Sequence, residues 1–375
     1  MPARADIEWG EDAALLAKSA SELLAARWDF AAVRRAMQTE DGFDRALYRE
    51  MAQLGWLGAA VPEAYGGAGM GAGVLCGVVE PMGQRVFGSP FLASTLAAQV
   101  LLVAGNPEQK QHWLPLLVRG DAIGTLALSE PSGSYELDLS AAAQITSGGY
   151  VLSGTKTFVL DAQSADLLVI AARLGERPAL FVVESEQLAG RLQRELLIDE
   201  TRRSSRLVLD GLTLERQALL DGGDAVLALE RAWRIGTLLV AAEMSGGAEG
   251  VMQLTLDYLK TRKQFGQPIG SYQALKHPMV EIMCAIEQGR SLLYHAATLL
   301  DRDDPETEVA LRMAKAQLGD TYAYAADRAI QFHGAIGFTY ECNAQLFFRR
   351  AQWAQHTFGD PRHHLRHLAS LLWCD

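Results

Sequence analysis

The chain has 375 residues, with 34 Lys plus Arg against 45 Asp plus Glu, a formal charge of −11, and 49% hydrophobic against 21% charged residues. That balance excludes a disordered or collagen-like chain, and an acidic total without a basic run argues against nucleic acid or an anionic membrane as the main partner. Cys76, Cys284, Cys342 and Cys374 are far apart and form no CxxC, which speaks against a disulfide framework or zinc knuckle and for a reducing compartment.

The N-terminal stretch MPARADIEWGED is charged from its fourth residue and has no apolar core, so no signal peptide is expected. No run of apolar residues is long enough for a membrane span, and the expected location is the cytoplasm. Apolar spacings of three and four predict helices over Ala13 to Arg27 and Phe43 to Leu54. Val61 to Gly67 breaks the pattern with Pro and Gly, and helix resumes over Leu75 to Val86 and Leu92 to Ala104. Asn106 is placed as an N-cap, with Pro107 in the first turn that follows.

From about residue 122 the period changes. Ile123 to Leu128, Gln144 to Thr146, Tyr150 to Leu152, Lys156 to Leu160, Leu167 to Ala171, Ala179 to Val183 and Arg206 to Leu209 are short, β-rich runs with glycine turns between them. They predict a small barrel or sandwich. Helical texture returns with Ala225 to Lys263, a long pattern without proline, and continues at about 272–300, 306–332, 341–356 and 361–372. The expected class is α+β and multidomain: a helical domain over 1–121, a β domain over 122–218 and a helical bundle over 219–375. The order is not a βαβ alternation, which argues against a doubly wound dinucleotide fold.

Two tempting motifs carry little. Gly66 to Gly73 is glycine-rich, but no GxGxxG register fits and no strand precedes it, so it reads as a connecting loop. His356, His363, His364 and His367 include an i, i+4 pair, but no zincin Glu or carboxylate cluster completes a site, so no metal is expected. The stretch Tyr258 to Gln273 is different. Its Lys260, Arg262 and Lys263 suit the negative end of a long helix. An Arg beside the Gly-exposed backbone and aromatic of Phe265-Gly266, followed by the Pro268-Ile269-Gly270 turn, suits a pyrophosphate next to a flat ring.

Read as YxxxRxQFGxPIGxxQ, that stretch resembles the acyl-CoA dehydrogenase family. Val61 to Gly67 is similar to the family's PEEYGG loop, and Gln109-Lys110 with Trp113-Leu114-Pro115 to its EQK and WLP segment. Leu128 to Pro131 is similar to its TEP stretch, and Gln331 to Phe338 to its Q-x-x-GG-x-GY signature. The resemblance spans nearly the whole chain. It implies an N-terminal helical domain, a middle β-barrel domain and a C-terminal four-helix bundle, assembled as a dimer of dimers. It also implies FAD. Arg262 would meet the pyrophosphate, with Phe265 and Gln273 near the adenine end. Gln331, Gly334 and Ala335 would hold the adenosine–pyrophosphate part from another subunit, and Leu128 and Ser129 would touch the isoalloxazine. The implied substrate is an acyl-CoA thioester, and the implied electron acceptor is an electron-transferring flavoprotein.

The family reaction needs a carboxylate to take the proton α to the thioester carbonyl. The family's two usual positions for it hold Phe358 and Gly236 here, and neither can act. Glu243 lies seven residues after Gly236, almost two helical turns, and so on the same face, among small and apolar neighbours that would raise its pKa. It is the expected base, with Asp360 as runner-up. The bland alternatives are that Glu243 is a paired polar residue between helices and that Asp360 caps the helix from Pro361. Ser132 to Tyr135 shortens the family's GAGSD loop, Leu160 stands where a hydroxyl is expected, and Thr237 replaces an Arg. Flavin-side features are therefore lost while the ADP side is kept. The pattern resembles one subunit of an α2β2 enzyme of steroid side-chain or dicarboxylate degradation. The expected function is α,β-dehydrogenation of an acyl-CoA. The rivals are a silent subunit that completes a partner's FAD site and a non-catalytic helical assembly protein.

Overall fold

The computed structural model describes residues 11–373. Most of the charged N-terminal stretch, residues 1–10, and Cys374 lie outside the described residues. In chain order the first helices are α1 (Glu11–Arg27), α2 (Phe30–Met37), α3 (Arg45–Gln53), α4 (Cys76–Gln84), α5 (Phe91–Ala104) and α6 (Pro107–Arg119). Strands follow: β1 (Gly124–Ala127), β2 (Ala142–Ile145), β3 (Gly149–Ser153), β4 (Thr155–Leu160), β5 (Leu167–Leu174), β6 (Arg177–Glu184), β7 (Leu192–Glu195), β8 (Ser204–Val208) and β9 (Leu212–Glu215). The long helix α7 (Ala225–Thr261) leads into a hairpin of β10 (Lys263–Gln264) and β11 (Gln267–Pro268). The chain then runs through α8 (Gln273–Asp301), α9 (Thr307–His333), α10 (Ala344–His356) and α11 (Pro361–Trp373). The order α, β, α agrees with the sequence reading, and no helix among the described residues is long and apolar enough to cross a membrane.

Five elements were not expected: α2, β7, β9 and the short pair β10 and β11. Each is short, and β7 (Leu-Gln-Arg-Glu) has no buried residue whose side chain would write an apolar period. The runs expected to be strands are strands, and the turn at Gly266 is a two-stranded hairpin.

The chain folds as two compact units, neither contiguous in sequence. One comprises Ala36–Met70 and Gly88–Gly236, so both texture boundaries, near 121 and 218, fall inside it. Its six-stranded sheet has the order β1-β5-β2-β3-β9, with β6 on the other side of β5. A three-stranded sheet has the order β4-β8-β7. β5 is parallel to β1 and β2 and antiparallel to β6. Its residues 167–172 are all buried, which is why they read as an unbroken apolar run rather than an alternation. Helix α6 opens with the expected Asn106 cap, extended by Gln109 into a capping box.

The other unit comprises the residues up to Arg35, Gly71–Phe87 and those from Thr237 onward. Glycines let the α4 and α7 backbones touch. A Cβ on Gly246 would lie 1.8 Å from the Glu80 carbonyl oxygen, and one on Gly83 2.0 Å from that of Glu243. The same contact is tied by polar groups. The buried Glu80 carboxylate accepts from Ser245 Oγ at 2.7 Å, Tyr294 OH at 2.6 Å and Arg290 Nε at 3.1 Å. Helices α4, α7 and α8 are thereby joined at one point.

Candidate active and cofactor site

At the end of α7 the Arg262 N–H donates to Tyr258 O at 2.8 Å, and the Arg262 carbonyl accepts from Ile269 N at 2.8 Å. The second bond closes the β10–β11 hairpin around Phe265 and Gly266, both at positive φ. The Tyr258 ring stacks on His333 with centroids 4.3 Å apart, and its hydroxyl donates to His333 O at 3.4 Å. That contact brings the end of α9 beside the end of α7. Burial pushes His333 below its ordinary pKa against the bond that Nδ1 donates to Ala329 O at 2.8 Å.

Six of the expected cofactor residues therefore share one unit: Arg262, Phe265 and Gln273 at the hairpin and the α8 start, and Gln331, Gly334 and Ala335 at the α9 end. All six are exposed, Phe265 by 91%. No carboxylate among the described residues is paired with Arg262. Gly334 has φ 66 and ψ −144, a conformation that glycine alone adopts readily, and open space lies where its Cβ would be. An unpaired guanidinium, an open backbone and a bare aromatic ring fit a pyrophosphate carrying a flat heterocycle.

Leu128 and Ser129 belong to the other unit, just past β1. The Leu128 carbonyl accepts from Lys156 Nζ at 3.1 Å, and that of Ser129 from Thr157 N at 2.9 Å. Lys156 also forms a buried ion pair with Glu130 at 2.6 Å. Burial would raise the Glu130 carboxyl, but Lys156, Ser140 and the Ala141 amide outweigh it and hold the group below its ordinary range. The strand edge is thus tied by these bonds. Among its side chains, Thr157 Oγ1 is buried without a hydrogen-bond partner, and Leu160 offers no hydroxyl. The residues at this edge fit an isoalloxazine less well than the hairpin end fits a pyrophosphate.

Glu243 lies on α7 and is 3% exposed. Its carboxylate accepts from Nη1 of Arg350 on α10, a residue that is 0% exposed. The same nitrogen reaches the Phe87 carbonyl at 3.2 Å. This is the arrangement of a polar pair between helices. Asp360 caps α11, its Oδ1 accepting from His363 N at 2.7 Å. Phe358 is half-buried, and Gly236 has no side chain. His363 and His367 do share a helix face, with rings 4.4 Å apart. Burial, followed by the charges of Lys315, Arg312 and His363, pushes His364 down to about 3. Sequence reading missed Arg350, Lys156 and Lys315, because nothing in the spacing marks a basic residue for burial or pairs it with a group 107 positions away.

Comparison with known proteins gives a consistent picture. The family model for the acyl-CoA dehydrogenase N-terminal domain matches residues 10–121, and that for the C-terminal domain matches residues 227–372. The chain is 32% identical to acyl-CoA dehydrogenase IpdE2 of Mycobacterium tuberculosis over 368 residues, covering 97% of this chain and 98% of the relative. Among solved structures it is similar to the Tcur3481–Tcur3483 steroid ACAD, in a variant form, with TM-score 0.87 and 29% identity, covering 97% of this chain and 98% of the other. It is also similar to the ChsE4–ChsE5 complex from Mycobacterium tuberculosis, with TM-score 0.88 and 26% identity over 98% of each chain.

Proposed function

The chain belongs to the acyl-CoA dehydrogenase family, and from that premise we propose that it serves the α,β-dehydrogenation of an acyl-CoA thioester as one subunit of an assembly of unlike chains. In that assembly it holds the ADP end of FAD and leaves proton abstraction to its partner. The observation that carries this reading is the Glu243–Arg350 pair: the one carboxylate placed on the expected helix face is buried against a guanidinium. Phe358 and Gly236 occupy the other two positions, and neither can accept a proton.

When bound, FAD would accept the hydride leaving the β carbon. This chain's part is to bind and orient. Arg262 would pair with the pyrophosphate, Phe265 and Gln273 would cover the adenine end, and Gln331 with the backbone at Gly334 and Ala335 would complete the cradle. Two of the similar structures are described by paired chain names, ChsE4–ChsE5 and Tcur3481–Tcur3483, and the latter as a steroid enzyme. That favours a bulky, steroid-derived acyl group, with electrons passing to an electron-transferring flavoprotein in the cytoplasm.

The test is co-purification with a partner from the native host, followed by flavin spectroscopy. The chain alone is expected to be colourless or to hold flavin weakly. The assembled complex should be yellow and bleach anaerobically with an acyl-CoA. In the complex, Glu243→Gln should bleach within about threefold of the wild-type rate, whereas loss of a general base costs about a hundredfold or more. A loss of that size, or bleaching by the chain alone, would return the reaction to a self-sufficient enzyme with Glu243 as base. Arg262→Ala should weaken flavin retention about tenfold through the lost charged hydrogen bond, read by flavin titration.

A further inference from the structure

We infer that Lys315 is the positioning residue of the α10–α11 turn, holding Phe358 in a left-handed backbone conformation through three carbonyl oxygens. Lys315 lies on α9 and is 0% exposed. Its Nζ donates to Ala354 O at 3.2 Å and Gln355 O at 3.2 Å, in the last turn of α10, and to Gly359 O at 2.8 Å in the turn itself. The last carbonyls of a helix lack intrahelical donors and carry its negative dipole end. An ammonium brought in from a neighbouring helix answers both needs. The carboxylate acting on it, Asp360, directs Oδ1 to the His363 N–H instead.

This turn needs holding. Phe358 has φ 60 and Gly359 φ 106. Left-handed backbone is disfavoured for a residue with a Cβ, most of all for a bulky one, and persists only when its surroundings over-determine it. On the α11 side the Gly359 backbone packs closely: a Cβ there would lie 2.7 Å from His363 Cδ2 and 2.8 Å from His364 Nε2. On the α9 side Lys315 draws the Gly359 carbonyl inward. The turn is therefore pinned from both sides, and Phe358 lies between the pins. Family membership gives the turn its interest, since Phe358 stands where the resemblance puts a proton acceptor. The inference concerns the backbone alone and is tested without turnover, so it can fail while the functional reading stands.

The experiment is hydrogen–deuterium exchange on the full chain, comparing wild type with Lys315→Met, Lys315→Gln, Phe358→Gly and the Lys315→Met/Phe358→Gly double variant. Lys315→Met should speed exchange of the 354–364 segment about tenfold and leave α8 unchanged. Lys315→Gln keeps two N–H donors without the charge and should fall between. Glycine adopts the left-handed backbone without a steric penalty. In the Phe358→Gly background, therefore, Lys315→Met should speed exchange by less than about threefold. The inference is overturned if exchange in the segment changes by less than about twofold, or if the effect is equal in both backgrounds, which would make Lys315 a general support of the bundle. If Lys315→Met does not accumulate, Lys315→Gln in the two backgrounds decides the matter in the same way.

Discussion

The Glu243–Arg350 pair shows how burial alters the meaning of a residue. A carboxylate on a helix face near small side chains reads as a base until a guanidinium is found bonded to it in the interior; the pair then acts as a fastener between α7 and α10. Removing one partner should therefore hurt more than removing both. Glu243→Gln is expected to lower stability by about 3 kcal/mol, and Glu243→Met with Arg350→Met together by less than either single change. Denaturant unfolding measures this, and a double variant as unstable as the sum of the singles would show that the pair is not coupled. Glu130 offers a pH test. Its pKa is lowered from the ordinary 4.5, so the stability it contributes is fully present above that value and is lost as pH falls through its folded pKa. Glu130→Gln should shrink the acid-side slope of stability against pH, and an unchanged slope would remove the Glu130–Lys156 pair from the account.

At the scale of elements, the α4–α7 contact depends on glycine. Gly246→Ala places a Cβ 1.8 Å from the Glu80 carbonyl oxygen, so one helix must move, at a cost of about 2–3 kcal/mol. A thermal melt close to wild type would mean that the helices are less tightly held than their geometry implies. Lys315 gives α9 a pH signature of the same sign as that of Glu130, in a higher pH window. Burial holds it down to about 7 from its ordinary 10.5. Between those values the unfolded chain binds a proton that the folded chain does not, so stability rises with pH across that window. Lys315→Met should flatten that rise. The long helices and the β-rich runs were legible because their apolar periods repeat several times, and the start of α6 was legible because Asn106, Pro107 and Gln109 write a cap directly. The strands β7 and β9 were not legible, because one or two apolar positions establish no period, and α2 spans only about two turns.

Across the whole molecule, in the proposed function an acidic chain offers a local cationic site to anionic ligands. The −11 charge bears on solubility, whereas Arg262, unpaired among the described residues, bears on phosphate. Kinship is legible in the sequence because QFGxPIG, the Gln331 to Phe338 stretch and the helix–strand–helix order are local patterns, and local patterns survive in one dimension. So is the absence of a carboxylate at Gly236 and Phe358, the two positions where the resemblance implies a base, since a missing carboxylate needs no structure to be seen. Tertiary structure alone decided what the remaining carboxylate meets. Whether Glu243 is a candidate base or half of a buried ion pair depends on Arg350, 107 residues away, and electrostatics acts through space rather than along the chain. The same holds for Lys315, whose three carbonyl partners come from the α10 end and the turn beyond it. Sequence names the ionisable groups, but only the packed chain sets their distances, and distance in a dry interior decides whether a charge does chemistry or holds helices together.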